Sequence, residues 1–413
     1  MNNLVGVLLL ILVTVSCKNS SNETDSKTNN SSNNEISNLK PLTSPADSVS
    51  AEPYLFTDKN GLVYLSWIEK TKERSLLKLS TLNNERWSEP LIINSGDNWF
   101  VNWADYPLVA ADGANNLVAH FLEKSEKGTY TYDVKIVTSA DQGKTWSSPK
   151  TLHDDGKKAE HGFVSMIPYG ENYFISWLDG RNSVMEPAGR HDEGHHGQMT
   201  IRGAIIDKQG NKSGEWELDN RVCDCCQTSA AITSNGPVVV YRDRSDTEIR
   251  DMSIVRLVNG QWTQPKTIFA DNWKIEGCPV NGPRIEAQGN NLAVAWFSSP
   301  EKNAQVNIAF SKDGGATFSN PIRVDEGKAL GRVDMVLLDG KTAMVSWMEG
   351  SVIKAAKIYN TGKKEPPIII ASSSESRSSG FPQMTKSGNQ IIFAWTDDKE
   401  RKIKIASLFI WSL

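Results

Sequence analysis

Seven short apolar runs, each closing on an aromatic residue, recur through this chain. They are LVYLSW to Trp67, LVAHF to Phe121, YFISW to Trp177, PVVVY to Tyr241, LAVAW to Trp296, AMVSW to Trp347 and IIFAW to Trp395, spaced 54, 56, 64, 55, 51 and 48 residues apart. Between them lie closing segments, most with an aromatic followed by a proline: NERWSEP, DQGKTWSSP, NGQWTQP and ATFSNP, with SGEWEL lacking the proline and KKEPPII as a degenerate sixth. Turn-forming Gly, Asn and Asp separate the runs, and no stretch shows helical periodicity. A single unit of this size cannot cover its own apolar faces, so the units must pack on one another. The pattern predicts an all-β fold, a β-propeller of four-stranded blades. The count gives seven blades, with six as the alternative.

The last unit lacks a fourth strand of its own. The segment from Asn38 to Pro45 (NLKPLTSP) reads as that strand, so an N-terminal strand is expected to close the ring and remove the exposed sheet edges. The propeller is then assigned to residues 37–413. The seven closing aromatics are expected in the core between blades.

The first residues read as an address. Leu4 to Val15 is one apolar run, shorter than a membrane-spanning helix, and it ends in Thr14-Val15-Ser16-Cys17. This resembles a bacterial lipoprotein signal, which implies residues 1–17 as the signal, lipidation at Cys17, and a place at the cell envelope. Residues 18–36 are Asn, Ser and Thr with scattered charge, a flexible tether. The membrane is expected as a partner only through that lipid. With a net charge of −4, a pI near 6.0 and no basic stripe, nucleic acid is not expected as a partner.

Two turns are more specific. Ser139 to Trp146 (SADQGKTW) and Ser311 to Phe318 (SKDGGATF) share S-x-D-x-G-x-T-[WF]. Ser and Asp side chains tie the turn backbone, Gly supplies positive φ, and the aromatic packs beneath. The repeat resembles the Asp-box (BNR repeat) of the sialidase-like propeller superfamily. That resemblance implies the fold, an axial face that takes glycans, and a possible exo-glycosidase activity. The chain departs from sialidases in its blade count. It also lacks their Arg-Ile-Pro signature and an assignable Tyr/Glu and Asp catalytic set.

Strand order assigns loops to faces. Loops entering the innermost strands share a side with loops joining second to third strands. Nearly all the unusual chemistry falls there. Cys223, Cys225 and Cys226 lie in DNRVCDCCQ, and Cys278 lies in the next unit's entering loop, GCPVNG. Two disulfides, thiol redox chemistry and a Cys/His metal site all remain open. Thiolate with imidazole suits Cu or Zn. The expected ligands are the four cysteines with His161, His195 and His196; His191 shares their insertion.

Arg242, Arg284 and Arg332 are the candidates for a carboxylate clamp of the sialidase kind, with ion pairing to Asp243, Glu276, Glu286 and Asp334 as the other reading. Trp103 and Trp273 are candidates to stack on sugar rings, or to pack blade against blade. For acid–base work the face offers Asp179, Asp243 and Glu276, with Asp105 and Glu160; the sequence chooses no pair. Two functions follow. One is an anchored propeller that binds or hydrolyses a glycan or other small ligand. The other is a Cys/His metal-binding propeller without hydrolase activity.

Overall fold

A computed structural model describes residues 39–183 and 197–410. Cys17, the 18–36 segment, His191, His195 and His196 lie outside the described residues. The described chain forms seven antiparallel sheets, one for each apolar run. The innermost strands of blades 1 to 7 are Ser50–Thr57, Val109–Ala111, His161–Tyr169, Ser229–Thr233, Arg284–Gln288, Ala329–Asp339 and Gln383–Ser387. Each is followed outward by the strand carrying the apolar run, then by the remaining strands in chain order.

The N-terminal strand Leu39–Leu42 is the outermost strand of the seventh sheet. It runs antiparallel to Lys402–Phe409, with Leu39 opposite Leu408 and Leu42 opposite Ile405. The first and seventh blades bury Leu55, Leu65 and Trp67 against Ile392, Ala394 and Ile405. Similar layers join the others, such as Val238, Val240 and Ile254 of blade 4 with Val294 and Trp296 of blade 5. Burying a large apolar side chain contributes about 1.5–3 kcal/mol. Trp67, Phe121, Trp177, Tyr241, Trp296 and Trp347 are buried as expected, while Trp395 is half-buried.

The two S-x-D-x-G-x-T turns carry matching bonds. Ser139 Oγ donates to Asp141 Oδ1 (2.8 Å) and accepts from the Gly143 amide, and Thr145 donates to Asp141 through both amide and hydroxyl. Ser311, Asp313, Gly315 and Thr317 repeat this. His120 accepts the Leu108 amide at Nδ1, 3.1 Å, inside blade 2, and burial pushes its pKa down to about 3. Among the described residues the helical pieces are the 3₁₀ turns Pro300–Lys302 and Arg377–Ser379, and no helix is long and apolar enough to cross a membrane.

Candidate functional site

Seven innermost strands meeting around an axis leave a central cavity of about 500 Å³. Every blade contributes to its wall. The polar groups there include Tyr54, Asp105, Tyr106, Gln227, Arg284, Glu286, Asp334 and Gln383. Arg284 Nε stands 3.2 Å from Asp334 Oδ1, and Nη2 donates to the Tyr106 hydroxyl. Asp334 also accepts the Met384 and Met335 amides at 2.6 and 2.9 Å. Glu286 accepts the Leu337 amide at 2.6 Å. Tyr54 and Tyr106 stack with centroids 6.3 Å apart.

Burial dominates the electrostatics of this wall. It pushes Asp105 up to about 8 and Glu286 up to about 7, and raises Asp334 despite the Arg284 charge. Asp105 accepts the Phe163 amide (2.8 Å) and the Tyr132 hydroxyl (3.2 Å). Glu160 accepts that same hydroxyl at 2.8 Å and is raised to about 7, again chiefly by burial. The cavity therefore offers carboxyls whose protons are held toward neutral pH, phenols and amides, beside the paired Arg284 guanidinium and the Lys386 side chain.

The cysteines converge as their loop assignment predicts. Cys223 Sγ lies 3.6 Å from Cys226 Sγ and 3.9 Å from Cys225 Sγ, and Cys278 contacts Cys225 across the blade boundary. Cys223 and Cys226 are buried, Cys225 is partly so, and Cys278 is exposed; all four are free thiols. Arg250 Nη1 donates to Cys223 Sγ at 3.2 Å. The neighbouring Cys225 and Cys226 thiols, with the Arg242 and Arg250 charges, hold the Cys223 thiol well below its ordinary range. Burial pushes Cys226 up to about 12.

Close loop packing makes this convergence possible. Gln227, next to Cys226, accepts the Gly282 amide at 2.9 Å and donates to the Ala104 carbonyl at 2.7 Å. A Cβ on Gly282 would lie 2.2 Å from the Gln227 carbonyl oxygen, so the Cys278 loop reaches blade 4 only with glycine there.

His161 has other partners. Its Nε2 lies 2.9 Å from Asp155 Oδ2 and 3.7 Å from Asp179 Oδ1, and its ring stacks on His153 at 3.5 Å. Arg181 completes the group, Nε 2.8 Å from Asp179 Oδ1 and 3.2 Å from Asp155 Oδ2. The Trp177 indole donates to Asp179 as well. Among the described residues the partners of His161 are carboxylates and His153 rather than a thiol, while His195 and His196 lie outside the described residues.

The arginines proposed as a clamp have partners of their own. Arg242 is 2% exposed and gives its N–H groups to carbonyls: Nε and Nη2 to Asn281, Nη1 to Arg250, Nη2 to Phe297. Arg332 donates to the carbonyls of Gly380, Glu375 and Ser376 and to the Ser379 hydroxyl, and burial pulls it down to about 10. Both are staples between blades. Of the three, Arg284 alone lines the cavity.

The tryptophans follow the packing alternative. Trp273 is buried beneath the Arg242 guanidinium (4.8 Å), and Trp103 stacks on Phe381 with Arg332 above it (5.0 Å). Of the five acid candidates, Asp179 is ion-paired, Asp243 accepts the Ser253 hydroxyl and the Arg244 amide, and Glu276 is exposed; Asp105 is the one that lines the cavity. Its carboxyls are Asp58, Asp105, Glu286 and Asp334. Sequence reasoning missed Tyr54 and Tyr106 and gave Glu286 and Asp334 only as ion-pair partners. The R-x-E spacing of Arg284 and Glu286 on one strand face was the available signal.

No protein-family model and no curated protein matches the chain. Solved structures do. The polysaccharide lyase Uly1 shares 8% identity, covering 87% of this chain and 90% of that one, TM-score 0.51. The Penicillium chrysogenum α-L-arabinanase complexed with arabinobiose shares 10%, covering 91% and 99%, TM-score 0.50. What they share is the fold. The Hadza microbial sialidase Hz136 shares 14% over 72% of this chain, TM-score 0.41, and the chain spans 63% of that protein's length.

Proposed function

We propose that the chain binds a neutral, hydroxyl-rich saccharide in its axial cavity. The cavity wall is the observation that carries this. Its volume, about 500 Å³, suits a ligand of one to three sugar rings. Burial raises Asp105 to about 8 and Glu286 to about 7, so both hold protons toward neutral pH, and the Arg284 guanidinium is matched by Asp334 and Tyr106. The arginine clamp that suits an acidic sugar is not offered by Arg242 and Arg332, which are committed to carbonyls; besides the paired Arg284, the basic side chain on the wall is Lys386, beside Glu286. Hydroxyl groups need only donors and acceptors at fixed places. The glycan-acting propellers of the same fold support the ligand class.

The same reading puts the protein at the cell envelope. It rests on the run from Leu4 to Val15 and on Ser16-Cys17, and incorporation of labelled fatty acid that is lost in Cys17→Ala checks it.

Calorimetry with neutral oligosaccharides and with sialylated ones tests the saccharide reading, with release of reducing ends followed in parallel. Binding of the neutral series, weakened at least tenfold by Tyr106→Phe or Glu286→Gln, is expected. Preference for sialylated ligands, or no binding at millimolar concentration, would overturn it.

A further inference from the structure

The thiol cluster stands apart from that reading. Four cysteines from two adjacent blades meet next to Gln227, itself a residue of the cavity wall, and no saccharide chemistry needs them. Three of the sulfurs lie within 4.8 Å of one another. A zinc ion with Zn–S bonds of about 2.3 Å sets tetrahedral ligand sulfurs about 3.8 Å apart, and a three-coordinate Cu(I) at a similar bond length sets them about 4 Å apart. The observed 3.6 and 3.9 Å lie close to both values.

We propose that Cys223, Cys225 and Cys226, with Cys278 as the fourth ligand, hold one thiophilic d¹⁰ cation, Cu(I) or Zn(II). Soft thiolates select these ions over hard ones. Each ligating thiol gives its proton to solvent as the metal–sulfur bond forms. Arg250, 3.2 Å from Cys223 Sγ, offsets the excess negative charge that three or four thiolates carry around such an ion. The site is graded from inside to outside. Cys223 and Cys226 are 1% and 2% exposed, while Cys278 lies at the surface. The ion is therefore received through Cys278 and seated by the buried pair. Gln227, adjacent to Cys226, lines the cavity wall, so the seated ion stands beside the axial ligand site.

The alternative occupant is oxidation. The adjacent Cys225 and Cys226 form only a strained bridge, but Cys223–Cys226 together with Cys225–Cys278 would use all four sulfurs. The test separates the two. The full chain is prepared without oxygen, offered Cu(I) or Zn(II) in separate arms, and analysed for metal content, X-ray absorption and thiols protected from alkylation. The expected result is one metal per chain in one arm, a sulfur-only shell at about 2.2–2.3 Å, and at least three protected thiols. Cys226→Ser loses at least tenfold in affinity against a competing chelator, and Cys278→Ser speeds metal release while keeping the stoichiometry.

His161→Gln leaves metal content unchanged; loss of metal in that variant would move the site to the Asp155–Asp179 group and overturn the proposal. Substoichiometric metal in both arms also overturns it, whether the thiols titrate freely or are absent as disulfides. Where a cysteine variant fails to fold, thiol protection in the unaltered chain decides.

Discussion

Arg284 and Asp334 face each other from the inner strands of blades 5 and 6, Nε 3.2 Å from Oδ1, with side chains 15% and 8% exposed. An ion pair this enclosed contributes little against an apolar pair of the same volume, but losing one partner strands the other. Arg284→Ala is expected to destabilise the fold by about 3–5 kcal/mol, read as a lower urea midpoint. Arg284→Met with Asp334→Leu should recover most of that stability. Saccharide binding should stay lost in the double variant, since the polar wall is gone. Stability and binding are thereby separated at one residue pair.

Asp105 gives the chain a stability that falls with rising pH. Its folded pKa, about 8, is raised by burial above an unfolded value near 4, so the folded state keeps a proton that the unfolded state releases. The contribution is fully present below about pH 4 and is lost progressively as pH rises toward 8. The slope in that window is at most about 1.4 kcal/mol per pH unit. Asp105→Asn, neutral throughout, should flatten that limb, gaining stability relative to the unaltered chain between pH 5 and pH 8. Urea midpoints at both values check the sign. Glu286 and Glu160 titrate in the same direction and remain in both proteins.

The architecture was legible because blade packing is periodic. Each apolar run must end on a large side chain wedged between sheets, so Trp67 and its equivalents mark the blades without any long-range information. The loop faces were legible for a similar reason: strand alternation sends Cys225 and Cys278 to one side, and they do meet. The destinations of the charged groups were not. Arg242 sits at the end of an apolar strand like a ligand-facing residue, and nothing local says that the Asn281 and Phe297 carbonyls wait for it. The cavity residues were hidden for the opposite reason. Tyr54 and Glu286 lie on ordinary alternating strands, and their chemistry depends on seven strands meeting at an axis.

Arg242 offers the sharpest test of that distinction. Its guanidinium bridges three carbonyls, with bonds of 2.8 Å to Asn281, 2.7 Å to Arg250 and 2.7 Å to Phe297, and so ties blade 4 to the loop and strand of blade 5. A lysine keeps the charge but lacks the planar fork that reaches all three at once. Arg242→Lys should therefore cost about 2–4 kcal/mol, because buried carbonyls lose their donors and the ammonium is left poorly solvated. The urea midpoint should fall with its slope unchanged, as expected when native contacts alone are weakened. Affinity of the folded protein for a neutral saccharide should be unaltered. A substrate-clamping arginine would give the reverse pattern, with stability kept and ligand binding lost. Measuring both quantities on the same variant decides which role the residue has.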